Sequence, residues 1–83
     1  MDFAVIHEIL DAEGWQQALE ADDGSLPEDF ENPVFVEAVD KSRALCVWHA
    51  PSQSALQSML DDFFGHAVVN HVIPINVHRL PQA

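Results

Sequence analysis

The stretch from Ala44 to Gly65, ALCVWHAPSQSALQSMLDDFFG, constrains the fold more than any other part of the chain. Its first residues are an apolar run that predicts a strand ending at Ala-Pro-Ser, because proline cannot donate to a sheet ladder. Ser52 is a good N-cap, and the apolar residues after it recur at helical spacing until Gly65, where a terminating glycine is expected. The stretch therefore predicts a strand followed directly by an amphipathic helix.

The other segments predict three more strands and one more helix. Residues 2–10 are apolar on both alternating sets, which is typical of a central strand covered on both sides. Asp11 can cap a helix that ends near Asp22, and the acidic segment 20–31 then predicts an exposed connection. Residues 34–39 and 43–49 predict a hairpin around the polar turn 40–42. Residues 67–78 predict the last strand, with Pro74 at an edge or a bulge.

The order β-α-β-β-α-β predicts an α+β fold of the ferredoxin-like type, as one domain over residues 1–83. That arrangement has a four-stranded antiparallel sheet, in the order 4-1-3-2, with both helices on one face. Strands one, three and four nevertheless carry apolar residues such as Ile6, Val47 and Val72 on both faces. Because an uncovered apolar face predicts an interface, we expect a homodimer formed sheet to sheet.

The run from Leu45 to Ser52, LCVWHAPS, resembles a segment of a known family. It is similar to the Cys-Leu-Tyr-Glu-Ala-Pro-Ser segment of a small nickel-binding family of unknown biological role, with Cys46, Ala50, Pro51 and Ser52 at the matching positions. The predicted architecture resembles that of the dimeric α/β-barrel superfamily. The resemblance implies a dimeric α/β barrel, and a divalent transition metal as one possible cofactor.

The charge balance excludes some classes of partner. Three basic and 14 acidic residues give a formal charge of −11, which would repel a phosphate backbone, so we expect no nucleic-acid binding. No apolar run approaches the roughly 18 to 20 residues of a membrane helix, and the N-terminal segment lacks the basic region of a signal peptide. We therefore expect a cytoplasmic protein without a membrane partner. The single cysteine, Cys46, excludes an internal disulfide.

Histidines supply the candidates for metal binding and proton transfer. In the predicted topology His7 approaches the beginnings of strands three and four, where Cys46 and His71 lie, whereas His49 and His78 meet at the opposite end. Imidazole with thiolate or carboxylate suits a borderline transition metal, so His7, His71 and Cys46 are the predicted ligands, with Glu8 as the alternative to Cys46. His7 and His71 are also the candidate catalytic residues. The plainer interpretation is that the histidines are hydrogen-bonded at strand ends and that Cys46 is a small buried hydrophobe.

Large side chains are candidates for a ligand pocket between helices and sheet: Trp15, Trp48, Met59 and Phe63. Aromatic residues at such spacings are otherwise core residues.

Three hypotheses for the function follow from these observations. The first is a homodimeric protein that binds a small apolar ligand or a divalent metal. The second, of the kind that the resemblance to the dimeric α/β-barrel superfamily implies, is a cofactor-free monooxygenase or isomerase-like enzyme, in which a histidine faces a cavity of roughly 300 Å³ or more. The third is an acidic interaction module that docks a basic partner on residues 20–31.

Overall fold

A computed structural model describes residues 1–78. Its elements, in chain order, are β1 (Asp2–Ile9), α1 (Ala12–Ala21), β2 (Glu31–Glu37), β3 (Arg43–His49), α2 (Gln53–Phe64), a 3₁₀ turn (Gly65–Ala67) and β4 (Val68–Ile75). The strands form one sheet in the order β2-β3-β1-β4, and every neighbouring pair is antiparallel. The predicted α+β, ferredoxin-like arrangement and its strand order are confirmed. Residues 79–83 of the predicted domain lie outside the described residues.

Several strand boundaries differ from the prediction, and the largest differences are at the start of β2 and the end of β4. β2 begins at Glu31 and so includes Pro33, and its pairing with β3 is irregular between Glu31 and Val34. Proline is tolerated there because β2 is an edge strand. Its missing N–H donor therefore costs no hydrogen bond between central strands of the sheet. β4 ends at Ile75 and not at His78, because Ile75 already pairs with Asp2, the first residue of β1.

Local side-chain contacts fix the starts of both helices. An Asp11 carboxylate oxygen accepts a hydrogen bond from the Gly14 N–H at 3.2 Å, and the Ser52 hydroxyl accepts one from the Ala55 N–H at 3.1 Å. These contacts satisfy amide groups that have no partner within the helix. Gly65 caps the end of α2, and its φ of 57° and ψ of −136° suit glycine alone.

The helices cover one face of the sheet, and the core lies between them and that face. Its largest fully buried side chains include Trp15, Phe3, Leu56 and His7. The opposite face, here called the open face, is apolar as predicted. Six aliphatic side chains on it are each between 37% and 52% exposed: Ile6, Val34, Val36, Leu45, Val69 and Ile73.

Candidate functional site

A cavity of about 630 Å³ lies between α2, the sheet and the loop that follows α1, and it is partly open to solvent. Most of its lining is aliphatic or aromatic: Leu19, Leu26, Pro27, Phe35, Trp48, Met59, Leu60, Phe63 and Phe64. Polar side chains are fewer, and two of them, His7 and Cys46, come from the buried face of the sheet. The cavity therefore has apolar walls. His7 and Cys46 form a polar pair on the sheet, and this part of the cavity lining is here called its floor.

Three of the four predicted pocket residues line this cavity, namely Trp48, Met59 and Phe63. Trp15 is instead a core residue, with 1% of its surface exposed, and its indole stacks on Phe64 at a centroid distance of 4.7 Å. Its Nε1–H donates to a Glu37 carboxylate oxygen at 2.8 Å. Helical spacing shows which face of α1 is buried, but it does not separate core positions from cavity positions.

A chain of hydrogen bonds orients the His7 ring, which has no exposed surface. The Asn70 amide nitrogen donates to an Asp61 carboxylate oxygen at 2.9 Å, so the Asn70 amide oxygen is the atom that faces His7. His7 Nδ1 lies 2.6 Å from that oxygen and must donate to it. In the neutral ring Nε2 is then an acceptor, and the Cys46 thiol, 3.1 Å away, donates to it.

Burial keeps both members of this pair neutral. Desolvation lowers the pKa of His7 from its ordinary value of 6.5, although the hydrogen bond to Asn70 partly opposes the change. Desolvation raises the pKa of Cys46 from 9.0 to about 11, while the Trp48 indole and the Asn32 amide favour the thiolate and limit the rise. Near neutral pH the pair is therefore a thiol beside an uncharged imidazole whose Nε2 can accept a proton.

The Trp48 indole N–H is a buried donor without a hydrogen-bond partner of normal geometry within residues 1–78. Trp48 itself is 7% exposed and lines the cavity. An unsatisfied buried donor costs roughly 1–3 kcal/mol, and most buried polar groups in proteins avoid that cost. A negatively charged hydrogen-bond acceptor near Cys46 would be stabilised by the Trp48 N–H.

The structure separates the three predicted metal ligands. His71 lies on the open face, where its Nε2 is 3.2 Å from a Glu8 carboxylate oxygen, whereas His7 and Cys46 point to the opposite side of the sheet. In the described part of the chain, no three histidine, cysteine, aspartate or glutamate side chains are grouped so that they could hold a metal ion. Of the two predicted catalytic histidines, His7 is the one that lines the cavity.

His49 and His78, predicted to meet at the opposite end of the sheet, stay a prediction. His49 Nδ1 lies 3.0 Å from an Asp2 carboxylate oxygen, and His78 follows the end of β4. In the acidic connection, the Asp22 and Asp23 carboxylates accept hydrogen bonds from the backbone N–H groups of Gly24 and Ser25, both at 2.9 Å. These two carboxylates therefore shape their own loop.

Sequence reasoning did not identify Asn70, Asp61 or Gln57 as part of the site. Gln57 donates to the Asn70 backbone carbonyl at 2.9 Å and to both Asp61 carboxylate oxygens, which joins α2 to β4. The one available signal was Asn70, a polar residue on the same alternating set as the apolar Val68 and Val72. A polar residue on a buried strand face requires a hydrogen-bond partner.

Neither helix of the described residues is long and apolar enough to cross a membrane. Comparison of the chain with protein-family models, with curated proteins and with solved structures finds no match.

Proposed function

We propose that this protein binds a small, neutral, apolar molecule in the cavity between α2 and the sheet. The main support for this proposal is the combination of apolar cavity walls with the His7–Cys46 pair at the floor. A volume of about 630 Å³ falls within the range of small-molecule sites, which are mostly apolar and contain a few convergent polar groups. The formal charge of −11 disfavours anionic ligands.

A fluorescence titration with the neutral dye N-phenyl-1-naphthylamine tests this function. We expect a saturable rise in dye emission with one site per chain. Leu26→Ala and Phe63→Ala each remove part of the cavity wall and should weaken binding by about fivefold, which corresponds to about 1 kcal/mol of lost apolar contact.

Leu10→Ala is the matched control, because Leu10 is also an exposed leucine but lies outside the cavity lining. It should leave the dissociation constant unchanged. An absence of saturable binding, or an equal effect of Leu10→Ala and Leu26→Ala, would contradict the proposed site.

We also propose that two copies of the chain pair through the open face, as in a dimeric α/β barrel. The support is the row of six half-exposed aliphatic residues on a sheet face that no helix within residues 1–78 covers. Sedimentation velocity at micromolar concentration should give a dimer, and Leu45→Lys should give a monomer. Val39→Lys, at a fully exposed position after β2, is the control and should remain dimeric. A monomeric parent protein would contradict the proposed pairing.

A second candidate function is a cofactor-free enzyme in which His7 moves a proton. It is supported by a neutral histidine that faces a cavity larger than the roughly 300 Å³ a substrate needs. Incubation with the neutral ketone phenylacetone in D₂O, followed by NMR, would detect deuterium uptake beside the carbonyl. His7→Gln should abolish that uptake, and an exchange rate equal to that of buffer alone would contradict this function.

A further inference from the structure

The contacts of Cys46 and His7 match the arrangement of a nucleophile and its base. His7 Nε2 lies 3.1 Å from Cys46 Sγ, and its Nδ1 is held at 2.6 Å by Asn70, which Asp61 holds in turn. A nucleophile within hydrogen-bond reach of a base, with a third group orienting the base, is the general signature of covalent catalysis.

Trp48 gives a second, independent indication. Its buried indole N–H has no partner of normal geometry among the described residues, and Trp48 lines the same cavity as Cys46. If Cys46 were only a structural thiol, nothing would compensate for the Trp48 N–H being buried without a hydrogen bond. A sulfur that becomes negatively charged as its proton moves to His7 would satisfy it.

We propose that Cys46 is a nucleophile, with His7 as its base, that adds to small neutral molecules carrying a carbon–carbon double bond conjugated to a carbonyl group. The inference rests on the proposed ligand cavity, whose lining includes both residues. His7 is 0% and Cys46 1% exposed, so side chains of the cavity wall must move for the molecule to reach the sulfur. The thiol proton passes to His7 Nε2 as the sulfur bonds to the β-carbon. The electron pair of the double bond moves toward the carbonyl, and the α-carbon then takes the proton back from His7.

Addition fits the site better than acyl transfer does. The step returns the thiol proton to the product and releases no leaving group, so thiol and base are sufficient. Acyl transfer would also require a proton from His7 for the leaving group, and then water or another second nucleophile to release the acyl group from the sulfur. The apolar cavity walls and the formal charge of −11 both favour a neutral reactant.

N-Ethylmaleimide, a neutral molecule of this class, is the probe for the test, and intact-protein mass spectrometry follows its addition. We expect one adduct per chain in the folded protein, located at Cys46 and lost in Cys46→Ser. His7→Gln should slow the addition on the order of 10²-fold, the loss expected on removal of a general base. His71→Gln, on the open face, should leave the rate unchanged.

The pH profile of the unaltered protein decides the question even if His7→Gln fails to fold, which circular dichroism would show. With His7 as base, the rate should be nearly constant above pH 6.5, because the ring is already neutral. A thiol of pKa about 11 that ionises without a base would instead react about tenfold faster per pH unit. That steep profile, or no adduct in the folded protein, would overturn the proposal. Saturable dye binding without any adduct would leave the binding function intact.

Discussion

His7 Nε2 and Cys46 Sγ lie 3.1 Å apart, although 39 positions separate the two residues in the chain. Val5 pairs with Cys46 and His7 pairs with Ala44, so His7 and Cys46 are diagonal neighbours on the covered face of the antiparallel β1–β3 pair. The sheet register therefore produces this contact. Asn70 then completes the pair from the other neighbour of β1, directly opposite His7.

Replacement of Asn70 by alanine should destabilise the fold. The change leaves the buried His7 Nδ1–H without its acceptor and removes the donor to Asp61, at an expected cost of about 1–3 kcal/mol in the free energy of unfolding. Urea denaturation measures that loss. Asn76→Ala, at an exposed position after β4, is the control and should change stability by less than about 0.5 kcal/mol. Equal effects of the two variants would show that the Asn70 contacts contribute nothing.

Stability should fall below pH 6.5 because of His7. Burial lowers its pKa in the folded state, so the unfolded chain binds a proton near pH 6.5 that the folded chain does not bind. The free energy of unfolding should therefore decrease on acidification by at most about 1.4 kcal/mol per pH unit, until the pH reaches the folded-state pKa. Urea denaturation between pH 7.5 and 5 measures the slope.

His7→Gln should remove this component of the slope. An identical pH dependence in the two proteins would contradict a neutral buried His7.

Cys46 gives the complementary effect at high pH. Its raised pKa predicts a further loss of stability above pH 9.0, because the unfolded thiol ionises before the folded one.

The two tryptophans should respond differently to replacement by phenylalanine. Trp15→Phe loses the hydrogen bond from Nε1 to the Glu37 carboxylate, whereas the Trp48 N–H has no partner of normal geometry in the described residues. Both variants lose the same part of an indole ring. Trp15→Phe should therefore cost about 1–2 kcal/mol more in urea denaturation than Trp48→Phe. Equal costs would mean that the Trp15–Glu37 hydrogen bond adds no net stability.

The apolar pattern of the sequence predicts the fold because each strand and helix carries its own signal. The start of β2 was not predicted, because proline disfavours the interior of a strand. Pro33 is accommodated because β2 is an edge strand with an irregular pairing at this point. The antiparallel topology predicts that His7 and Cys46 are close, but it does not fix which face each histidine occupies. His71 pairs with Ile6 and not with His7, and that shift of one residue places it on the open face.

The supporting residues of the site were harder to infer. Asn70 and Asp61 are residue types that occur mostly on protein surfaces, and only the packing of α2 on β4 brings their side chains together. The cavity itself depends on the path of the loop after α1, which places Leu26 and Pro27 in its wall. Residues 20–31 carry a charge pattern but no periodicity, so their path could not be derived.

Two-dimensional ¹H–¹⁵N NMR of the indole N–H groups, during titration with N-phenyl-1-naphthylamine, tests the central claim most directly. The chain has two tryptophans, and Trp48 lines the cavity whereas Trp15 is packed in the core. The account predicts that the Trp48 signal shifts progressively and saturates with one dye per chain, while the Trp15 signal moves much less. A Trp48 signal that stays in place while the dye binds would contradict it.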